Sequence, residues 1–107
     1  MSAPIDVTQA TFKSEVIDSA TPVIVDFWAQ WCGPCTKLSP ILDEVSAELG
    51  ERVKVVKVDV DAERTLAAMF QIMSIPTVLI FKDGQMVDQF AGLQPKQDII
   101  ARVENLL

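Results

Sequence analysis

The chain has 107 residues, half of them hydrophobic and 22% charged, with two cysteines, no histidine and a net charge of −6. A chain of this size buries roughly two-thirds of its unfolded surface, so one domain over residues 1–107 can build a core without staples or metal. The acidic balance excludes a generic nucleic-acid or anionic-membrane surface, both of which need clustered basic groups.

Residues from Met1 to Asp6 show neither a basic start nor an apolar stretch, so no export signal is expected. No apolar run reaches the ~18 residues that a membrane span requires. Residues 4–7 suit a short edge strand. Thr8 is then expected to cap a helix whose apolar stripe is Phe12, Val16 and Ile17. After Thr21-Pro22, the run Val23-Ile24-Val25-Asp26-Phe27-Trp28 predicts a buried strand, with Asp26 its one polar residue.

Leu38, Ile41, Leu42, Val45 and Leu49 recur at helical spacing, and Gly50 supplies the stop. A long amphipathic helix beginning at Cys32 or Gly33 follows, with a kink expected at Pro40. Val53, Val55, Val56 and Val58 make the next strand, interleaved with Lys54 and Lys57. Asp61 is expected to cap a helix carrying Leu66, Ala67, Met69 and Phe70. Residues 77–81 and 86–90, joined by Lys82-Asp83-Gly84-Gln85, read as a hairpin. Pro95 opens a last helix with Ile99, Val103, Leu106 and Leu107 on one face. The order βαβαβαββα predicts an α/β sandwich: one mixed sheet between helices, with right-handed parallel crossovers and an antiparallel hairpin edge.

The two cysteines lie in Trp31-Cys32-Gly33-Pro34-Cys35. A disulfide closing so small a loop contributes only ~2 kcal/mol by chain entropy, against ~4.7 for a loop of about 100 residues. It is a weak staple but a good exchangeable pair. Three readings compete: two small buried hydrophobes, half of a metal site, and a redox couple. A structural zinc wants four ligands, and this chain offers one Cys pair and no His. CxxC at a strand-to-helix junction favours the redox couple. The helix N-terminus would favour a thiolate at Cys32, making it the nucleophile. Pro34 suits the first turn, and Gly33 leaves the approach to Cys32 open. Cys35, one turn further on, should be more deeply buried and act second, attacking Cys32 in a mixed disulfide. One close pair without an export signal points to the reducing cytoplasm.

The segment Val25 to Cys35 resembles the active-site segment of the thioredoxin family in its bacterial form. The likeness continues through Pro40, Val58-Asp59-Val60-Asp61, Ser74-Ile75-Pro76-Thr77, Phe81-Lys82-Asp83-Gly84 and Gly92, and so covers almost the whole chain. It implies the five-stranded, four-helix thioredoxin fold and a monomeric protein-disulfide reductase maintaining cell redox balance through electron transport. The implied partners are thioredoxin reductase, a flavoprotein that spends NADPH, and oxidised proteins such as reductases and peroxidases. No bound cofactor and no metal are implied beyond the Cys32–Cys35 couple. Ile75-Pro76 is implied to be cis and to face the cysteines. Trp31, Gly33, Pro34, Ile75, Pro76 and Gly92 are implied to form an apolar docking surface.

Burial should raise the pKa of Asp26, because desolvation disfavours a carboxylate. The resemblance adds that Asp26 exchanges a proton with Cys35 through water, with Lys57 as its charge partner. Thr36 and Gln30 stand where the family usually carries Lys and an acidic residue, and Phe70-Gln71-Ile72-Met73 also departs from its pattern. Those positions flank the docking surface and bear on partner preference. A disulfide oxidant or isomerase on the same fold, or a binding subunit with incidental cysteines, are the rival readings.

Overall fold

The computed structural model describes residues 3–107; Met1 and Ser2, on which the export-signal reading partly rests, lie outside the described residues. Among the described residues, five strands form one sheet in the order β1-β3-β2-β4-β5: β1 Ile5–Asp6, β2 Val23–Trp28, β3 Lys54–Asp59, β4 Thr77–Lys82 and β5 Gln85–Ala91. The first three run parallel, while β4 is antiparallel to both β2 and β5. The antiparallel part therefore begins at the centre of the sheet, one strand earlier than the hairpin alone required. Helical segments connect the first four strands: a short π-type turn α1 (Lys13–Ile17), then α2 (Gly33–Leu49) and α3 (Arg64–Met69); α4 (Lys96–Glu104) follows β5. Among the described residues, no helix is long and apolar enough to cross a membrane.

Strand alternation divides the core in two. Ile24, Val53, Val55, Val78 and Ile80 pack against Leu38, Leu42 and Val45 of α2 and Ile99 and Val103 of α4. Val23, Val25, Phe27, Val56 and Val58 face the other way, against Phe12, Val16 and Leu66. The phase that sends Ile24 toward α2 also sends Asp26 there, and the phase of Val53 and Val55 sends Lys57. Both polar residues thus arrive beneath the start of α2.

Four local expectations are corrected. Thr8 is no side-chain cap: its N–H donates to Thr11 Oγ1 at 2.9 Å, and α1 starts later, closed by an i→i+5 bond from Asp18 N–H to the Lys13 carbonyl. Asp61 does not cap α3, because Asp59 Oδ1 accepts from the Asp61 and Ala62 N–H groups and shapes that turn instead. Met69 is 63% exposed, so only Leu66 of α3 is fully buried. Leu107 lies beyond α4 and is exposed, while Ile100, which the expected stripe omitted, is buried. Pro40 lies inside α2, which continues to Leu49. In the hairpin turn Asp83 and Gly84 both take positive φ, 54° and 80°, the pattern of a type I′ turn.

Candidate active site

Cys32 is the N-cap residue of α2, in extended backbone, and its Sγ accepts from the Cys35 N–H at 3.2 Å. The two cysteines are joined in a disulfide with Cα atoms 5.3 Å apart, within the ordinary range. Both are almost fully buried, Cys32 at 5% and Cys35 at 3% exposure. The expected contrast in burial is therefore slight. Position separates them: Cys32 caps the positive dipole end of α2, where its Sγ accepts the Cys35 N–H, and Cys35 is already inside the helix. Gly33 and Pro34 are exposed, with Pro34 in the first turn.

Ile75 packs against the cysteine cluster together with Trp28 and Val60. The Ile75-Pro76 bond is cis, and the Pro76 carbonyl accepts from the Gly92 N–H at 2.8 Å. Pro76 itself is buried, so of this pair Ile75 is the one that is part-exposed. Trp31 is 71% exposed, and its indole Nε1 donates to Asp61 Oδ2 at 2.8 Å. A groove of ≈ 340 Å³ runs beside it, lined by Trp31, Val60, Ile72, Met73 and Ile75 among others. Met73 is 93% exposed at its rim. Of the departures from the family pattern, Thr36 turns its hydroxyl back onto the Gly33 carbonyl at 2.6 Å.

Asp26 is fully buried and neither carboxyl oxygen has a hydrogen-bond partner. Burial pushes its pKa up from the usual 3.8 to about 7, with the Lys57 charge pulling in the opposite direction. Asp26 and Lys57 are register partners on β2 and β3. No ion pair joins them. The Lys57 ammonium instead donates to Ser39 Oγ at 2.6 Å and lies 5.4 Å from the centroid of the Trp28 ring. Asp26, Cys35, Lys57, Ser39, Trp28 and Asp43 share the walls of one cavity of ≈ 370 Å³. A carboxyl group that can hold or release a proton near neutrality thus borders the same space as the inner cysteine.

Sequence reading missed two members of this neighbourhood, Ser39 and the Trp31–Asp61 contact. Ser39 stands four residues after Cys35, so helical spacing alone places both on one face. No local signal pairs Trp31 with Asp61. Among the described residues, no group of three or more His, Cys, Asp or Glu is placed to hold a metal ion.

An α/β sheet that presents a reversible disulfide at a helix N-terminus, beside an apolar groove, defines a dithiol–disulfide oxidoreductase. A family model described as Thioredoxin matches residues 3–105. The chain is 52% identical to "Thioredoxin 1" of Synechococcus elongatus over 90% of each chain, and 48% identical to "Thioredoxin 1" of a Nostoc species over the full length of both. It is 47% identical to "Thioredoxin" of Rickettsia felis over 89% of this chain and 90% of that one. The chain belongs to the thioredoxin family and is a protein-disulfide reductase working through Cys32 and Cys35.

Proposed function

We propose that residues 1–107 act as one monomeric domain in the cytoplasm, with Cys32 as nucleophile, Cys35 as resolving thiol and Asp26 as proton acceptor and donor for Cys35. The Cys32 thiolate attacks one sulfur of a substrate disulfide, and the other substrate sulfur leaves as a thiolate. Cys35 then gives its proton to the Asp26 carboxylate and attacks Cys32 Sγ, which forms the internal disulfide and expels the second substrate thiolate. The substrate gains two electrons, taken from the dithiol, and solvent and Asp26 supply the protons. A flavoprotein reductase, spending NADPH, returns the pair to the dithiol and makes the chain an electron carrier. Trp31, Gly33, Pro34, Ile75 and Gly92 form the docking surface for oxidised proteins such as reductases and peroxidases, with the buried Pro76 beneath Ile75 rather than on that surface.

The observation that carries this reading is the unpartnered, buried Asp26 carboxyl on the wall of the cavity that Cys35 also borders. Cys35→Ser tests it: the variant should accumulate mixed disulfides through Cys32, and a variant that captures no substrate would refute the assignment. Insulin reduction coupled to NADPH and a thioredoxin reductase should proceed with the native chain and stop in Cys32→Ser.

A further inference from the structure

Ser39 belongs to no motif, yet its hydroxyl holds the one cation among the described residues on the walls of the Asp26 cavity. Register would let Lys57 face Asp26 directly, since the two residues are opposite one another on adjacent strands. An ammonium brought beside a buried carboxylate normally pairs with it, because each unpaired charge in that environment is costly. Here the ammonium is shared between Ser39 Oγ at 2.6 Å and the Trp28 ring face at 5.4 Å, and both Asp26 oxygens stay unpartnered. Ser39 reaches that position because it follows Cys35 by one helical turn.

We infer that Ser39 is a positioning residue for the proton site: by anchoring the Lys57 ammonium, it keeps Asp26 from being captured in an ion pair and leaves its carboxyl free to exchange a proton with Cys35. The inference rests on the proton role proposed above for Asp26. The titratable groups facing Asp26 are Lys57 from β3 and Cys35 and Asp43 from α2, all bordering the cavity. From β4 the register partner is the apolar Val78. Lys57 is the only cation in that set, so its placement governs how readily Asp26 keeps a proton. Released from Ser39, the ammonium can approach Asp26 and favour the ionised form.

The test is a double-mutant cycle of Ser39→Ala and Lys57→Met in the oxidised chain, read by carbon NMR titration of the Asp26 carboxyl. Ser39→Ala should raise the Asp26 ionisation constant roughly three- to tenfold, and Ser39→Thr, which keeps the hydroxyl, should restore it. In the Lys57→Met background the same change should leave the titration where Lys57→Met alone puts it. An unmoved midpoint in Ser39→Ala, or an equal shift with and without Lys57, would overturn the inference. The pH dependence of disulfide reduction separates it from the reading beneath it. A rate profile that follows the shifted midpoint supports both, whereas a midpoint that moves while the profile stays still supports the positioning role and refutes the proton role of Asp26. Ala is a better helix former than Ser, so the fold of Ser39→Ala is not endangered.

Discussion

The exposed indole of Trp31 is tethered to the Asp61 carboxylate at 2.8 Å, across thirty positions of sequence. The contact fixes the ring that borders the groove beside the disulfide, and it uses the residue that local pattern assigned to a helix cap. A hydrogen bond to a charged acceptor is worth more than a neutral one, but at this exposed site solvent competition holds its contribution to about 0.5–1 kcal/mol. Asp61→Ala should therefore speed exchange of the Trp31 indole proton several-fold. Asp61→Asn, whose amide oxygen still accepts, should leave it slow. Proton NMR of the indole resonance reads both, and equal rates in all three chains would mean that the tether does not persist in solution.

Asp26 gives stability a definite pH dependence. Between the usual 3.8 and about 7 the folded chain holds a proton that the unfolded chain has lost. Stability therefore falls as pH rises through that window and levels off above it. At about 1.4 kcal/mol per unit the full gap corresponds to roughly 4 kcal/mol. Asp26→Ala removes this burden and leaves a small hole costing about 1–2 kcal/mol. The variant should be about 2 kcal/mol more stable than the native chain near pH 8, lose that advantage below about pH 4, and reduce disulfides more slowly. Urea titrations at the two pH values measure the difference, and a variant less stable at both would contradict the buried-acid account.

Ser46 offers a gain in stability away from the site. Its hydroxyl is buried inside α2 with no hydrogen-bond partner, at 1% exposure. Ser46→Ala removes an unpaired polar group and substitutes a better helix former, for an expected gain of about 1 kcal/mol. The denaturant midpoint should rise with an unchanged slope, and disulfide reduction should keep its native rate.

Gly84→Ala should do the opposite. Gly84 sits at φ 80°, and an added Cβ would lie 3.1 Å from the Ile17 carbonyl oxygen. Both the positive φ and the close backbone oppose a side chain, so a loss of about 1–2 kcal/mol is expected. Asp83 also takes positive φ, at 54°, but short polar residues tolerate that region. Thermal unfolding should show a lowered midpoint in Gly84→Ala and little change in Asp83→Gly.

Much of this was legible in the chain because it is local. Val23 to Phe27 form a buried strand because their run is apolar and β-branched. Leu38, Leu42, Val45 and Leu49 form a helix because their spacing matches its turn. Cys32 lies at a helix N-terminus because the strand before it and the helix after it leave no room for another arrangement. Asp26 was conspicuous for the same reason, as a carboxylate inside an otherwise apolar run.

What escaped the sequence depends on which elements become neighbours. Asp59 rather than Asp61 serves the turn before α3, because the carboxylate nearer the strand end reaches the free N–H groups first, and Asp61 is left for Trp31. Pro76 is covered and Ile75 stands at the surface beside the cysteines, a choice made by packing and not by hydrophobicity.

The sequence by itself determined the order of elements, the reaction class and the two sulfurs that perform it, since periodicity, capping and a short CxxC loop act within a few residues. Only the tertiary structure decided the company those sulfurs keep. Strand register brought Lys57 opposite Asp26, and the helical turn after Cys35 put the Ser39 hydroxyl within reach of that ammonium. Desolvation and hydrogen-bond geometry are properties of the assembled neighbourhood, and no stretch of chain carries them alone.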